Sequence, residues 1–368
     1  MIWWSESQSE PFSGLQNLSL TLRKKIAMQI TPLDPRFAKL GQRAMASVAR
    51  ASENGMDPSH RTLLAAAERM LLHTGADLAS LAPIEPSELS LTDAPADQRR
   101  QLVRGLVVMS LAAGPTSDEQ AALLTAYAAA LDVDEPAVDV MNRLAHKEML
   151  LFRLDFYRHS HLRDYMGNQY RNQGGILGVA KGVLGMRGLI ADANLAARFD
   201  AFGELPENTL GYGFFKMYAD RGFSFPGRKD GFPMGALFHD FAHLLSGYDT
   251  TPEGELCAAA FQAGFRRNED AFFTLLFAVL THTAGMNMTP LEQPVLLGRI
   301  GEEGLAEAML DALRRGSQMT VDIGVDWDFW PLVAQPLAEA RAQLGVAPPE
   351  VPIPDAARFD CPPHLATS

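Results

Sequence analysis

Cysteine is nearly absent: Cys257 and Cys361 are the only two in 368 residues. Two are too few for a disulfide framework, and they form no CxxC unit, so a stapled scaffold and a paired-thiol redox motif are both excluded. A reducing cytoplasm is the expected compartment. Positive charge is also scarce. Lys and Arg total 32 against 44 Asp and Glu, a formal net charge of −12. Such a surface repels phosphates over most of its area, which argues against a general nucleic-acid binder. It weakens broad adhesion to anionic lipid as well, although a local basic patch remains compatible with it. Long apolar runs are missing too. None reaches the roughly 18 residues of a spanning helix, and the closest, Ala271 to Leu280, is short and followed by His282. The start, MIWWSESQSEPFSG, has no basic end followed by an apolar stretch, so a secretory signal is not expected. These absences predict a soluble protein, or one peripheral to the inner face of a membrane.

What is present favours helices. Hydrophobic residues make up 47%, enough for a core without disulfides. Alanine and leucine dominate while valine and isoleucine runs are few, which tilts the expectation to an all-α fold. The chain divides into an irregular segment 1–35, a helical domain 36–153, a linker 154–178, a second helical domain 179–348 and a tail 349–368. In the first domain, Phe37–Glu53 and His60–Thr74 carry apolar residues at three- and four-residue intervals, and 83–96 reads as a loop. Asp97–Ala113 is a helix stopped by Gly114-Pro115. Ser117-Asp118-Glu119-Gln120 has the form of a capping box opening helix 117–131. Asp134-Glu135-Pro136 opens a further helix, expected to run past His146. This set, over residues 60–150, resembles the TerB-like (tellurite-resistance type) helical domain. The acid that usually precedes the glycine of its turn is absent before Gly114, so no metal role is expected there.

Tyr157, Arg158, His159, His161, Arg163, Tyr165 and Tyr170 form a polar stretch that reads as a linker with helical tendency, suited to surface or interdomain packing more than to metal. Residues 174–190 (GGILGVAKGVLGMRGLI) are apolar and glycine-studded. They suit a closely packed helix, or a lipid-facing one with Lys181 and Arg187 at the interface.

The chemistry concentrates at His239-Asp240-Phe241-Ala242-His243, on a helix opened by Pro233 and stopped by Gly247. At about 100° per residue, the two histidines fall about 40° apart on the helix surface and Asp240 about 60° beyond. Two imidazoles and a carboxylate then face one side, an arrangement a divalent ion can use. Past the turn, Thr250 and Glu253 have capping-box spacing, which leaves Glu255 free of a capping role at the start of an alanine-rich helix. A carboxylate in such surroundings needs a counter-charge, and a helical hairpin brings it back to the histidine face. An HD-type phosphohydrolase site would want another upstream histidine and a distant aspartate, for which no pairing stands out.

HDxxH followed by eleven residues and Glu resembles the signature of the Coq-four family, the fourth of the coenzyme Q biosynthesis proteins. The match falls at His239, Asp240, His243 and Glu255. Leu205-Pro206-Glu207-Asn208-Thr209-Leu210-Gly211 is similar to the family's Leu-Pro-x-x-Thr-Leu-Gly segment, and Phe214, Phe215 and Tyr218 to the aromatic helix that follows it. Phe261-Gln262-Ala263-Gly264 resembles the stretch after the glutamate. Trp327, Pro336-Leu337, Arg341 and Leu344-Gly345-Val346 resemble the closing helix. The likeness covers about residues 180–348. It implies an all-helical fold, and oxidative decarboxylation at ring C1 of a polyprenylated 4-hydroxybenzoate-derived precursor in ubiquinone biosynthesis. The ion would be held by His239, Asp240, His243 and Glu255. Zinc suits these ligands, while iron, manganese or magnesium remain open. The alternative is a prenyl-lipid-binding or scaffold protein of the biosynthetic complex with a structural metal. Expected partners are the prenylated precursor, other quinone biosynthesis proteins and a second copy of the chain. The Ala271–Leu280 helix and the 174–190 segment suit a tunnel for the prenyl tail, or plain core.

Overall fold

The computed structural model describes residues 28, 30–159, 191–229, 231–268, 270–288 and 294–359. Fourteen α-helices occur among them: α1 Pro35–Arg50, α2 Pro58–Ala67, α3 Pro86–Leu89, α4 Ala96–Ser110, α5 Asp118–Ala130, α6 Pro136–Ala145, α7 Met149–His159, α8 Ala193–Asp200, α9 Leu210–Arg221, α10 Leu237–Ser246, α11 Pro252–Phe265, α12 Ala271–His282, α13 Leu305–Gln318 and α14 Leu337–Leu344. Extended pairing among the described residues is confined to isolated bridges, such as Thr209 with Pro336. The fold is all-α. No described helix is long and apolar enough to cross a membrane.

Local chemistry sets the helix ends. Ser117 caps α5 by accepting the Gln120 N–H, and the Gln120 side chain reaches back to the Ser117 N–H, so the box is formed as expected. Several elements differ from the sequence expectation, among them α4, which stops at Ser110, short of Gly114. α6 stops at Ala145 instead of running past His146, because Lys147 adopts a left-handed backbone (φ 59°) and α7 starts two residues later. The 83–96 loop contains the single turn α3. Thr251 caps α11, accepting the Gly254 N–H at 3.1 Å, with Pro252 in the first turn. Thr250 therefore does not pair with Glu253, and Glu253 is buried in an ion pair with Arg299.

One apolar cluster runs through both halves of the described chain. Phe156 of α7 packs its ring 5.5 Å from Phe273 and 6.2 Å from Phe277, both on α12. Ser59 of α2 donates to the Gly298 carbonyl at 3.1 Å. The boundary expected near Arg153 falls inside α7, and 160–178 and the 174–190 segment lie outside the described residues. α12 is buried along most of its length, as core.

α11 is the central helix, packed on α10, α12 and α13. It meets α13 through Gly264 and Gly316, and a Cβ on either would overlap the other helix's backbone: Phe261 carbonyl for Gly316, Leu313 carbonyl for Gly264. Neither backbone can yield cheaply. Gly316→Ala is expected to destabilise by roughly 1–3 kcal/mol or more through overpacking, read as a lowered melting temperature. An unchanged melt would mean that the two helices are free to slide apart.

The described residues after α14, as far as Phe359, pack back on the α10–α11 turn. Asp249 donates to the Ala357 carbonyl at 2.9 Å, Phe359 to Gly247 at 3.0 Å, and the Thr251 hydroxyl to Ala356 at 2.6 Å. This segment braces the α10–α11 turn, which carries the site.

Candidate metal centre

The hydrophobic side of α10 (Phe241, Leu244, Leu245) is buried in the core, which turns His239 and His243 toward α11. The helix ends at Gly247 in the left-handed conformation (φ 81°), whose N–H reaches the His243 carbonyl at 2.8 Å. Three other terminal carbonyls are satisfied by cations. Arg341 donates to Leu244 at 2.9 Å and Leu245 at 3.0 Å, and the buried Arg315 donates to Ser246 at 2.9 Å. Positive charge at a helix C-terminus also complements the helix dipole. The hairpin then turns tightly, since a side chain at Gly254 would overlap the Asp249 backbone. Arg221 of α9 pins the turn through Asp249.

This geometry brings three ligand groups together: His239, His243 and Glu255. The two imidazole Nε2 atoms lie 3.3 Å apart. Glu255 places Oε2 at 3.4 Å from His239 Nε2 and Oε1 at 3.4 Å from His243 Nε2. A tetrahedral ion with bonds of about 2.0–2.1 Å holds its ligand atoms about 3.3–3.4 Å apart. Octahedral magnesium at similar bond lengths would need adjacent ligands about 2.9–3.0 Å apart. The 3.3 Å between the two imidazole nitrogens fits tetrahedral better than octahedral spacing, while Glu255 turns a different oxygen to each ring.

His243 is fully buried, and its Nδ1 lies 3.0 Å from the Tyr248 carbonyl. A carbonyl only accepts, so Nδ1 donates, and Nε2 is the nitrogen left to face Glu255. The His239 and Glu255 side chains are 32% and 24% exposed, so the cluster can be reached from solvent on their side.

Asp240 does not join the three. It is buried, and the Tyr218 hydroxyl donates to its carboxylate. Tyr218 in turn stacks on Phe214 with centroids 4.4 Å apart. Burial pushes the Asp240 carboxyl up despite the nearby histidines, and the Tyr218 phenol is pushed up by burial and by Asp240. The adjacency of His239 and Asp240 in sequence thus separates their tasks, one toward α11 and one toward α9.

Burial opposes charge on His239, but the Glu255 carboxylate outweighs it and raises the imidazole to about 9. Burial opposes charge on Glu255 as well, and the two histidines, His243 foremost, hold it well below the carboxylate range. In chelated protein, His239 then contributes stability that is complete below its ordinary value of 6.5 and is lost as pH rises through about 9. Glu255 contributes above its ordinary 4.5 and loses that contribution as pH falls toward its depressed value. Melting temperatures of chelated protein should decline between pH 6.5 and about 9, and His239→Gln should remove that part of the decline. Identical profiles for the two proteins would contradict the pairing.

Two further groups, given no role by the sequence pattern, stand beside the site. Gln262 places Nε2 at 2.9 Å from His239 Nδ1. It follows Glu255 by seven residues, two helical turns, so helical periodicity already put it on the ligand face. His282 ends α12, which runs back along α11 to the level of Glu255. Burial lowers its imidazole, while Glu255 and Glu253 oppose that shift. No protein-family model matches the chain, and no curated protein matches it, so the reading of the site rests on its own geometry.

Proposed function

We propose that this chain is a metal-dependent protein of the Coq-four type, replacing the ring C1 carboxyl of a polyprenylated 4-hydroxybenzoate-derived precursor by a hydroxyl. The observation that carries the reading is the meeting of His239, His243 and Glu255, three candidate ligands on a side that solvent can reach, with no fourth protein ligand among the described residues. Structural sites close all four positions, whereas catalytic ones keep one for water or substrate.

The segments behind the family resemblance lend support by meeting in space. Leu210 donates to the Gln335 carbonyl at 3.0 Å, Gly211 to Val333 at 2.8 Å, and Leu337 to Asn208 at 2.8 Å. Gly211 has to be glycine there, because a Cβ would lie 2.9 Å from the Val333 oxygen. Arg341 of α14 then caps the helix bearing both histidines. The Leu-Pro-x-x-Thr-Leu-Gly segment, the closing helix and the HDxxH helix thus form one unit around the ligands.

A divalent ion held here would supply a Lewis-acidic position for the precursor's carboxylate or phenolate. The protein's own part is to orient. Tyr248 fixes the His243 tautomer, Glu255 balances the charge, and Tyr218 keeps Asp240 turned away. The overall change is a two-electron oxidation. The C1–carboxyl bond breaks to release carbon dioxide, a water oxygen bonds to C1, and dioxygen takes the two electrons and two protons to leave as hydrogen peroxide.

Metal analysis of the purified protein, with mass spectrometry of the lipid it retains, tests the reading. About one zinc per chain and a prenylated aromatic acid are expected. Protein that takes up no divalent ion and retains no prenylated lipid would refute it.

A further inference from the structure

A histidine can give Nε2 to a metal ion only while its proton sits on Nδ1. That Nδ1–H then needs an acceptor, and metal-bound histidines find one in a carboxylate, a carbonyl or water. For His243 the acceptor is the Tyr248 carbonyl, 3.0 Å away. For His239 the neighbour is the Gln262 amide, whose Nε2 stands 2.9 Å from Nδ1. The two orientations of an amide have nearly the same shape; with its nitrogen toward the ring it donates, which suits only a neutral tautomer with its proton on Nε2. That proton points into the space between His239, His243 and Glu255, where the ligand atoms are 3.3–3.4 Å apart. In this arrangement the proton occupies the place an ion would take.

A half-turn of the amide brings Oε1 to where Nε2 stood, with no movement of the backbone. Gln262 is buried at 3% exposure, which leaves little room for water to replace it. Among the described residues, no other hydrogen bond of its side chain holds the amide in its first orientation. Its place on α11, two turns beyond Glu255, means that one rigid helix carries both a ligand and the support of another ligand.

We propose that Gln262 is a positioning residue of the metal centre: its carbonyl accepts the Nδ1–H of His239 and so frees Nε2 for the ion. This rests on the metal-centre reading above and adds a determinant of affinity that lies outside the ligands.

The test compares zinc affinity, by chelator competition, in the wild-type protein, Gln262→Leu, Gln262→Glu and His243→Ala. Melting of each chelated protein serves as the control for folding. Gln262→Leu leaves Nδ1–H without an acceptor and is expected to weaken zinc binding about 10–100-fold, the range for loss of such a support. Gln262→Glu offers an acceptor in the same place and should restore wild-type affinity or exceed it. A purely packing role would predict the reverse, since a carboxylate is harder to bury than leucine. Wild-type affinity in Gln262→Leu, with binding still lost in His243→Ala, would overturn the role of Gln262 and leave the metal centre standing. No zinc binding by the wild-type protein would overturn both.

Discussion

His243→Ala is expected to abolish metal binding. Its ring is fully buried, and the Tyr248 carbonyl leaves Nε2 as its only free nitrogen. The remaining ligands, His239 and Glu255, are partly exposed and cannot hold a tetrahedral ion against water by themselves. Structural zinc sites bind with on the order of 10–16 kcal/mol. Loss of one ligand in three removes roughly a third of that, or about a thousandfold in affinity at ~1.4 kcal/mol per decade. Two controls separate this from damage to the fold. Glu253→Ala breaks the buried pair with Arg299 and should lower the melting temperature while leaving metal content unchanged. Asp240→Asn keeps an acceptor for Tyr218 and should also retain the ion, because the Asp240 carboxylate is engaged away from the three ligands. Equal metal content in the wild type and His243→Ala would remove the basis of the site. Loss of the ion in Asp240→Asn would restore the four-ligand set that the family resemblance implies.

The contrast between Asp240 and its neighbours shows which features could be read from sequence. The paired histidines were legible because residues four apart on a helix share a face whatever the rest of the fold does. Glu255 was legible because an acid opening an alanine-rich helix needs a partner. The direction of Asp240 was not, since it depends on Tyr218 arriving from another helix. The α5 capping box could be read because its two hydrogen bonds are local to four residues. The same rule placed the α11 cap one residue early. Pro252 favours the first helical position, which makes Thr251 the cap, and the better-spaced Thr250–Glu253 pair concealed this. The stop of α6 had no residue signal: Lys147 takes a positive φ that lysine rarely adopts, in a local closure where the Glu148 N–H reaches the Arg143 carbonyl and the Lys147 N–H reaches Leu144. The contacts that join the halves, Phe156 to Phe273 and Ser59 to Gly298, lie far apart in the chain, beyond the reach of any local pattern.

Function should follow the ligands. Supplied to a cell that lacks its Coq-four protein, this chain is expected to restore ubiquinone. The precursor still carrying the C1 carboxyl should then disappear. Glu255→Gln keeps the size of the side chain and removes the charge that sits 3.4 Å from both imidazoles. Loss of a first-sphere ligand should take restoration to near zero at an unchanged protein level. His239→Ala should do the same. The outcome for these two variants separates catalysis from scaffolding. An assembly role uses the surface and the fold, so a scaffold would still restore the quinone when a ligand is replaced and the melt of the chelated protein is preserved. A catalytic role loses restoration with the ion, and the carboxylated precursor builds up as it does with no protein supplied. Gln262→Leu adds a graded test between these extremes. With zinc affinity reduced about 10–100-fold, restoration by a catalyst should fall when metal is limited and recover when zinc is added to the medium. A scaffold would be indifferent to the metal supply. Restoration that ignores Glu255, His239 and zinc alike would leave the three-ligand centre intact and move its chemistry away from ring C1.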